Sequence, residues 1–345
     1  MRKTTLLSTA LICLAMLSSC GDKPEVPAGD PNTKSSGSVF AMDTYMTVTA
    51  YGDDREAGVS AATEEMTRLE KLWSVTDEQS EIYAVNHAGG GSTAVSGETA
   101  ELLEFALDMH EATGGALDIS LYPVLRAWGF TTGEYRVPDE EEIASLLEKT
   151  GAEKISLGDN TVTLPEDMEI DLGAVAKGCA GDKAVAALKE QGVECAILDL
   201  GGNIQTLGET KPDGTKWKIG IRDPYGEGSA ATLETGEGAV ITSGGYERYF
   251  EQDGKVYKHI LDPKTGRPAE SGLASATAIG DEGRYCDALS TSLYVLGAEG
   301  AEELWRKRGD FDMVLICEDG SFVITEGIEQ SFQLTVPAEL KVLRK

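Results

Sequence analysis

The spacing of apolar residues predicts helices mainly in the first half of this chain and strands mainly in the second half. Residues 53–73 and 139–149 place apolar side chains at the intervals of amphipathic helices, and Ser96 precedes a third such stretch that ends at Gly114. From residue 195 to residue 279 the chain instead consists of short β-branched runs separated by glycine-rich turns. Segregated helices and strands indicate an α+β protein, not a regular βαβ repeat.

One further strand, one hairpin turn and three further helices belong to this prediction. Met42–Tyr51 alternates as a strand, and Asp253-Gly254 is a hairpin turn between two later strands. Helical spacing continues from Ala174 to Gln191, from Tyr285 to Leu296 and from Glu299 to Arg308.

The first twenty residues resemble a bacterial lipoprotein signal. Two basic residues precede a short apolar core, and Leu17–Cys20 is a small-residue cleavage site that ends in cysteine. We expect residues 1–19 to be a signal peptide, Cys20 to carry lipid, residues 20–38 to form a flexible tether, and a globular domain to cover residues 39–335. The expected location is extracytoplasmic, lipid-anchored to the bacterial membrane; a plain secretory signal with a chance cysteine is the alternative.

Charge and cysteine content narrow the function. The formal net charge is −29, which repels nucleic acid, so no nucleic-acid partner is expected. A phosphate ligand therefore needs a local cation. Cys179, Cys195, Cys286 and Cys317 form no CxxC pair, and the chain has 3 histidines, so zinc is not predicted. We expect these cysteines to be small buried residues, and disulfides outside the cytoplasm are the alternative.

One short run has the pattern of a phosphate site. An apolar segment ends at Asp171, Gly173 permits a tight turn, and a helix then begins with Lys177 in its first turn. A helix N-terminus attracts phosphate, and a lysine there can close on it. Taken alone, the run is equally typical of an ordinary strand-to-helix connection with a solvated lysine.

Two further sets of side chains could carry chemistry. Asp287 and Thr291 lie one helical turn apart on the same face, a partial oxygen ligand set for Mg²⁺. His259 stands at a strand end before the turn Asp262–Gly266, where it could act as a general base. Structural roles, an exposed aspartate with a threonine bonded to its own helix and a partly exposed histidine, are the alternatives.

The order of the motifs is more specific than any one of them. DLGAVAKG, LDLGGN, SGGYERYF, HILDPKTGRP and DALSTSLYVLG follow MDTYMTV and GALD. This series resembles the ApbE family, the FAD:protein FMN transferases, and the resemblance runs from Met42 to about Phe332. It implies an α+β, ApbE-like (T-fold-like) architecture of mixed and antiparallel sheets with flanking helices, and an ApbE-like domain over residues 39–335.

The resemblance also implies a reaction and a site. Family members use FAD and Mg²⁺ to transfer FMN to a threonine or serine hydroxyl of an acceptor flavoprotein, and they release AMP. His259 matches the histidine that activates the acceptor hydroxyl. The metal-binding positions correspond to Ala174, Asp287 and Thr291. The FAD-contacting positions correspond to Met42, Ala116, Leu117, Asp118, Asp171, Lys177 and Leu261.

One position departs from the family pattern, and two other functions stay open. Thr76 stands where many relatives have an aromatic residue, so we expect Trp73 or Tyr45 to make the ring contact instead. The alternatives to transfer are a Mg²⁺-dependent FAD pyrophosphatase that gives FMN and AMP, and a lipoprotein that only stores or delivers FAD. Storage needs no base, so His259 argues against it.

Overall fold

A computed structural model describes residues 30–345 of the chain. Its α-helices are α1 (Arg55–Trp73), α2 (Glu81–Asn86), α3 (Gly97–Ala112), α4 (Tyr122–Ala127), α5 (Glu140–Leu147), α6 (Ala176–Glu190) and α7 (Gly283–Arg308). Its strands are β1 (Lys34–Ala41), β2 (Thr44–Tyr51), β3 (Ser92–Ala94), β4 (Ser156–Gly158), β5 (Thr161–Thr163), β6 (Ala196–Leu200), β7 (Asn203–Leu207), β8 (Trp217–Arg222), β9 (Ser229–Thr235), β10 (Gly238–Gly244), β11 (Tyr249–Gln252), β12 (Lys255–Lys258), β13 (Leu261–Asp262), β14 (Arg267–Pro268), β15 (Leu273–Gly280), β16 (Asp312–Cys317), β17 (Phe322–Thr325), β18 (Phe332–Leu334) and β19 (Leu340–Leu343).

A nine-stranded sheet forms the centre of the molecule, in the order β1-β2-β6-β7-β10-β15-β16-β17-β19. Neighbouring strands are antiparallel except β17 and β19, which are parallel. Helices α1, α6 and α7 pack on one face, and the small sheet β18-β9-β8 covers part of the other face. The expected α+β fold with antiparallel sheets and flanking helices is confirmed.

Alternating side chains of the central strands enter two different cores. On β10, Ala239 and Ile241 join the helix-side core, while Val240 between them joins the core under the small sheet. On β16, Met313 likewise joins the helix-side core, and its neighbour Val314 joins the core under the small sheet. This period of two follows from strand geometry. Burial on both faces makes these strands the least adaptable part of the fold.

A third, smaller core lies beside the central sheet. It is aromatic, with Trp128, Phe130 and Phe250 packed together, and includes Leu261. The ribbons β11–β12 and β13–β14 contribute to it, and the Trp128 Nε1–H donates to the Gly266 carbonyl at 2.8 Å. This core supports the loop that carries His259.

Two boundaries differ from the sequence prediction, and a third is as expected. Strand β1 begins at Lys34, inside the stretch expected to be a flexible tether, because its backbone pairs with β2 along its whole length. Strand β19 lies beyond residue 335 and closes the other edge of the sheet. The two helices expected on either side of Gly297 are confirmed, because Gly297 has φ 70° and its non-helical backbone divides α7 into two helical segments.

The signal peptide and Cys20 lie outside the described residues. Within residues 30–345, no helix is both long and apolar enough to cross a membrane.

Candidate active site

Helices α6 and α7 cross in close contact because glycines face each other there. A Cβ on Gly178 would lie 2.3 Å from the Gly283 carbonyl oxygen and 2.7 Å from the Asp287 Cβ. Gln205 on β7 lies against the same contact and donates its Nε2–H to the Gly178 carbonyl at 2.9 Å. Only glycine at position 178 permits this approach.

This close approach holds the Asp287 carboxylate in place. Asp287 is 3% exposed, and its Oδ2 accepts the Gly178 backbone N–H at 2.8 Å. Its Oδ1 accepts the Nδ2–H of Asn203, a buried residue on β7, at 3.0 Å. Each oxygen receives one neutral donor, and a carboxylate oxygen has a second lone pair. The buried carboxylate is therefore oriented with capacity left for a cation.

Two hydroxyl groups of α7, Ser290 and Thr291, follow Asp287, and the Ser243 hydroxyl of β10 faces them. The Ser243 Oγ lies 2.9 Å from the Ser290 Oγ and 3.2 Å from the Thr291 Oγ1. The Ser290 Oγ–H donates to the Asp287 carbonyl at 2.9 Å. Thr291 is therefore not a solvated helix threonine, since its hydroxyl faces β10. Ser243 adds a further hydroxyl beside the Asp287–Thr291 pair expected from the sequence.

The start of α6 presents the second candidate metal-binding segment. In a regular helix the Gly178 N–H would donate to the Ala174 carbonyl; here it donates to Asp287. The Ala174 carbonyl accepts no hydrogen bond from residues 30–345. An unused carbonyl, a buried carboxylate and hydroxyls are the hard oxygen donors that Mg²⁺ prefers, so these residues fit that ion. In the described part of the chain, no group of three or more His, Cys, Asp or Glu side chains is arranged to hold a metal ion.

Lys177 and Asp171 flank this helix start. The Lys177 Nζ–H donates to the Gly173 carbonyl at 3.2 Å, and the Asp171 Oδ1 accepts the Gly173 N–H at 2.8 Å. Burial raises the pKa of Asp171, against the opposing effects of the Gly173 N–H and the positive charges of Lys177 and Arg248. The expected arrangement, a cation and a carboxylate at one turn, is present.

The Ala116–Asp118 segment joins this turn through the backbone. The Asp171 N–H donates to the Ile119 carbonyl at 2.8 Å. The Asp118 Oδ1 accepts the backbone N–H of Ser120 at 2.8 Å and its hydroxyl at 2.6 Å. Asp118 thus caps a short 3₁₀ helix, while Ala116 and Leu117 are buried.

Met42 lies at the tip of the β1–β2 hairpin. Ala41 pairs with Thr44, and the two residues between them, Met42 and Asp43, have φ 49° and 59°. Two successive residues of positive φ make a type I′ turn, which usually requires glycine or asparagine. The Met42 N–H donates to the Glu70 Oε2 at 2.6 Å, which helps to hold this uncommon backbone.

Asp43 connects the hairpin tip to the loop before β11. Its carboxylate forms an ion pair with the Arg248 guanidinium. The Arg248 guanidinium also donates to the Phe130 carbonyl at 3.3 Å. Arg248 therefore bridges three separate segments of the chain.

His259 is held by the backbone of the same arginine. Its Nδ1 lies 3.1 Å from the Arg248 carbonyl, which can only accept, so the neutral ring carries its proton on Nδ1 and leaves Nε2 as an acceptor. Burial and the nearby positive charge of Arg248 lower the pKa of His259 to about 4. Across neutral pH, His259 is therefore an uncharged ring with a free basic nitrogen.

Two expected contacts with the flavin are changed by the packing. Trp73 is 4% exposed and donates its Nε1–H to the Thr99 Oγ1 at 3.1 Å, so the prediction that it replaces the missing aromatic at Thr76 is wrong. Tyr45 is 75% exposed and stays a candidate. Leu261 is buried in the aromatic core, so its backbone, and not its side chain, is the part available to a ligand.

The structure adds functional residues that sequence reasoning did not single out. Asn203, Gln205 and Ser243 orient the Asp287 and Thr291 region, and Arg248 positions His259. The sequence did contain a signal for two of them. Asn203 and Gln205 are amides at alternate positions of the buried strand β7, and buried amides need hydrogen-bond partners inside the protein. The identity of those partners depends on the tertiary fold.

Comparison with known proteins gives consistent matches over most of the chain. The model of the ApbE family matches residues 42–315. The chain is 33% identical over 341 residues to an FAD:protein FMN transferase of Treponema pallidum, with 92% of each chain covered. It is 32% identical over 296 residues to one of Klebsiella pneumoniae, covering 84% of this chain and 91% of the relative.

Solved structures agree with these matches. The crystal structure of the ApbE protein of Thermotoga maritima superposes with a TM-score of 0.82 at 31% identity, over 87% of this chain and 99% of that one. The flavin transferase ApbE of Vibrio cholerae gives a TM-score of 0.79 at 27% identity, over 87% and 100% of the two chains.

Proposed function

This chain belongs to the ApbE family and is a flavin transferase, and we propose that it moves FMN from FAD to a threonine or serine hydroxyl of an acceptor flavoprotein, with Mg²⁺ required and AMP released. The observation that carries the proposal is the arrangement around α6. A neutral His259, the Lys177 ammonium and the oriented Asp287 carboxylate belong to segments that meet there.

The chemistry follows from what each residue can do. The acceptor hydroxyl gives its proton to the free Nε2 of His259 as its oxygen attacks the phosphorus of the FMN half. The P–O bond to the AMP phosphate breaks, and that phosphate leaves with the electron pair. Lys177 offsets the negative charge that grows on the leaving group. The Arg248 carbonyl receives the Nδ1–H and keeps the ring in the required tautomer.

Asp287, Thr291 and the Ala174 carbonyl are the residues that would hold Mg²⁺, with Ser243 beside them. When bound, the ion neutralises the pyrophosphate of FAD, which otherwise meets an acidic protein. The chain's own contribution is the fixed orientation of Asp287 by Gly178 and Asn203.

Incubation with FAD, Mg²⁺ and a candidate flavoprotein tests the proposal. We expect the acceptor to gain the mass of FMN on a serine or threonine, with one AMP per transfer and no product when the Mg²⁺ is chelated. Release of FMN and AMP without any acceptor adduct would instead establish the pyrophosphatase. Tight FAD binding without turnover would establish storage or delivery.

Lipidation and an extracytoplasmic location are part of this proposal. They rest on the Leu17–Cys20 site, which precedes the described residues. We predict that wild-type protein fractionates with bacterial membranes after a salt wash, and that Cys20→Ser releases it, because the lipid is the expected attachment. Cys195→Ser is the matched control. Retention of Cys20→Ser protein on washed membranes would contradict lipid anchoring.

A further inference from the structure

Helices α6 and α7 exchange backbone N–H groups and carboxylates where they cross. The Asp287 carboxylate of α7 accepts the Gly178 N–H, one of the N–H groups that the first turn of α6 leaves without a helical partner. In return, the Asp182 carboxylate of α6 accepts two N–H groups from the first turn of α7, that of Gly283 at 2.7 Å and that of Arg284 at 2.9 Å. Each helix therefore holds the start of the other.

Asp182 supplies a cap that α7 does not provide for itself. The residue before the helix, Glu282, makes no side-chain capping hydrogen bond. A helix usually satisfies its first N–H groups with the side chain of that preceding residue, so the N-terminus of α7 depends on α6 instead. Burial raises the pKa of Asp182 to about 6, against the lowering effect of the Arg284 and Gly283 N–H groups, so the carboxylate is charged above neutral pH.

The two exchanges lie one helical turn apart on both helices. Asp182 follows Gly178 by four positions in α6, and Asp287 follows Gly283 by four positions in α7. Residues four apart share one helix face. Gln205 fills the same contact, since a Cβ on Gly283 would lie 1.7 Å from its Nε2. Both exchanges form at a single register of the helices, because a shift of one residue, about 1.5 Å, would break them together.

This register sets the arrangement of the proposed cation ligands. The Ala174 carbonyl lies just before the start of α6, whereas Asp287 and Thr291 lie on α7. The hydrogen bond from Gly178 to Asp287 also joins the two helices, but it occupies one of the proposed ligands. Asp182 joins them through backbone N–H groups outside the ligand set, so its hold does not depend on the cation.

We infer that Asp182 is a positioning residue for the cation site, because it sets the register between the two segments that carry the proposed ligands. This inference rests on the proposed function, since those ligands belong to the proposed Mg²⁺ site. Residues that orient metal ligands without binding the metal change metal affinity by about 10–100-fold when they are replaced. A cap with only a structural role would lower stability and leave that affinity unchanged.

Asp182→Ala, Asp182→Asn and a matched cap variant, Asp139→Ala, provide the test. Asp139 caps α5, which contributes Ile143 to the aromatic core and not to the core beneath α6 and α7. Calorimetry of Mg²⁺ binding to each FAD-loaded enzyme at pH ~8, where Asp182 is charged, gives the cation affinity. Amide hydrogen exchange distinguishes the peptide that contains Gly178 from the one that contains Gly283, and thermal unfolding measures stability.

We expect Asp182→Ala to weaken Mg²⁺ binding about tenfold and to speed exchange in the Gly178 peptide as well as at the start of α7. Asp182→Asn keeps one acceptor oxygen, so its affinity should lie between those of Asp182→Ala and the wild type, and it serves alone if the alanine variant does not fold. Asp139→Ala should lower the unfolding temperature and keep the wild-type affinity for Mg²⁺.

Three results would contradict the positioning role and leave the proposed transfer intact. They are wild-type Mg²⁺ affinity in a folded Asp182 variant, faster exchange confined to the start of α7, and an equal loss of affinity in Asp139→Ala. Failure of the FAD-loaded wild type to bind Mg²⁺ would overturn the proposed cation site and this inference together.

Discussion

The two halves of the candidate site are built in different ways. The cation side (Gly178, Asn203, Asp287 and Thr291) lies between two packed helices and the central sheet, and Asp287 is almost completely buried. The base side (Arg248 and His259) lies on a half-buried loop above a small aromatic core. The cation side is therefore built from the central sheet and its helices, whereas the base side belongs to a loop outside them.

This difference separates stability from chemistry. A change on the cation side removes partners from buried polar groups or forces helices apart, so it costs folding free energy as well as activity. A change on the base side removes a proton acceptor at a loop, where few packed atoms depend on it. The following predictions test this contrast, from the largest expected effect to the smallest.

Asp287→Ala should lower Mg²⁺-dependent turnover by about 10³-fold or more, because it removes the only charged ligand of the proposed cation site. It also leaves the N–H groups of Gly178 and Asn203 without a hydrogen-bond acceptor, which lowers the free energy of unfolding by about 1–3 kcal/mol. Raised Mg²⁺ should restore part of the activity if Thr291 and the Ala174 carbonyl still bind. Calorimetry of Mg²⁺ binding to the FAD-loaded variant checks this, with exposed Asp281→Ala as the control. Unchanged Mg²⁺ affinity would place the metal elsewhere.

His259→Ala should slow transfer by about 10²–10⁴-fold, the usual loss for a general base, with FAD affinity retained. The unfolding free energy should change little, in contrast to Asp287→Ala. Rapid-mixing assays at saturating FAD and a denaturant titration measure the two quantities, and His87→Ala is the matched histidine control. Wild-type transfer rates in the variant would exclude the base role.

Gly178→Ala should disturb fold and site together, because the added methyl group would overlap the Gly283 carbonyl and the Asp287 Cβ. Overpacking of this kind costs about 1–3 kcal/mol. Gly97→Ala at the start of α3, where a Cβ meets open space, is the control. The midpoint temperature of thermal unfolding and the affinity for Mg²⁺ should both be lower than in the wild type. A loss in only one of them would show that the helix contact does not position Asp287.

Arg248→Gln should move the acid limb of the pH–rate profile for kcat/KM to higher pH. The base is active when neutral, so activity is lost as pH falls through the pKa of His259, near 4 in the wild type. Without the guanidinium charge that pKa rises toward the ordinary value, and the rate at pH ~5 drops several-fold while the rate at pH ~8 holds. Exposed Arg267→Gln is the control. Identical acid limbs for wild type and Arg248→Gln would show that the guanidinium does not tune His259.

Local sequence signals predicted much of the fold. Ser96 caps α3 by accepting the Thr99 N–H, as its position before apolar periodicity indicated. Asp139, expected as the first residue of a helix, is instead the cap of α5 and accepts the Glu142 N–H. Strand β1 was missed because its residues, rich in serine and glycine, resemble a linker. Its pairing with β2 and its packing on α1 overcome that low propensity.

Within the candidate site, sequence separation marks what could be predicted. Asp287 and Thr291 share a helix face, so their proximity follows from four positions of spacing. Asp287 and Gly178 are 109 positions apart, Asp287 and Asn203 are 84 apart, and Asp43 and Arg248 are 205 apart. These contacts between distant segments cannot be predicted from any local sequence pattern.

The sequence by itself determined the chemical types at this site, the order of the motifs and most of the helices and strands, because these depend on short-range propensity and on residue identity. Only the tertiary structure decided that Trp73 is buried and that Gly178 and Asn203 orient Asp287. It also decided that burial and the Arg248 guanidinium keep His259 neutral, while the Arg248 carbonyl holds Nδ1–H and leaves Nε2 free. Burial, charge proximity and hydrogen-bond partners are properties of distant segments brought together by packing, and they set the orientation and pKa on which the chemistry depends.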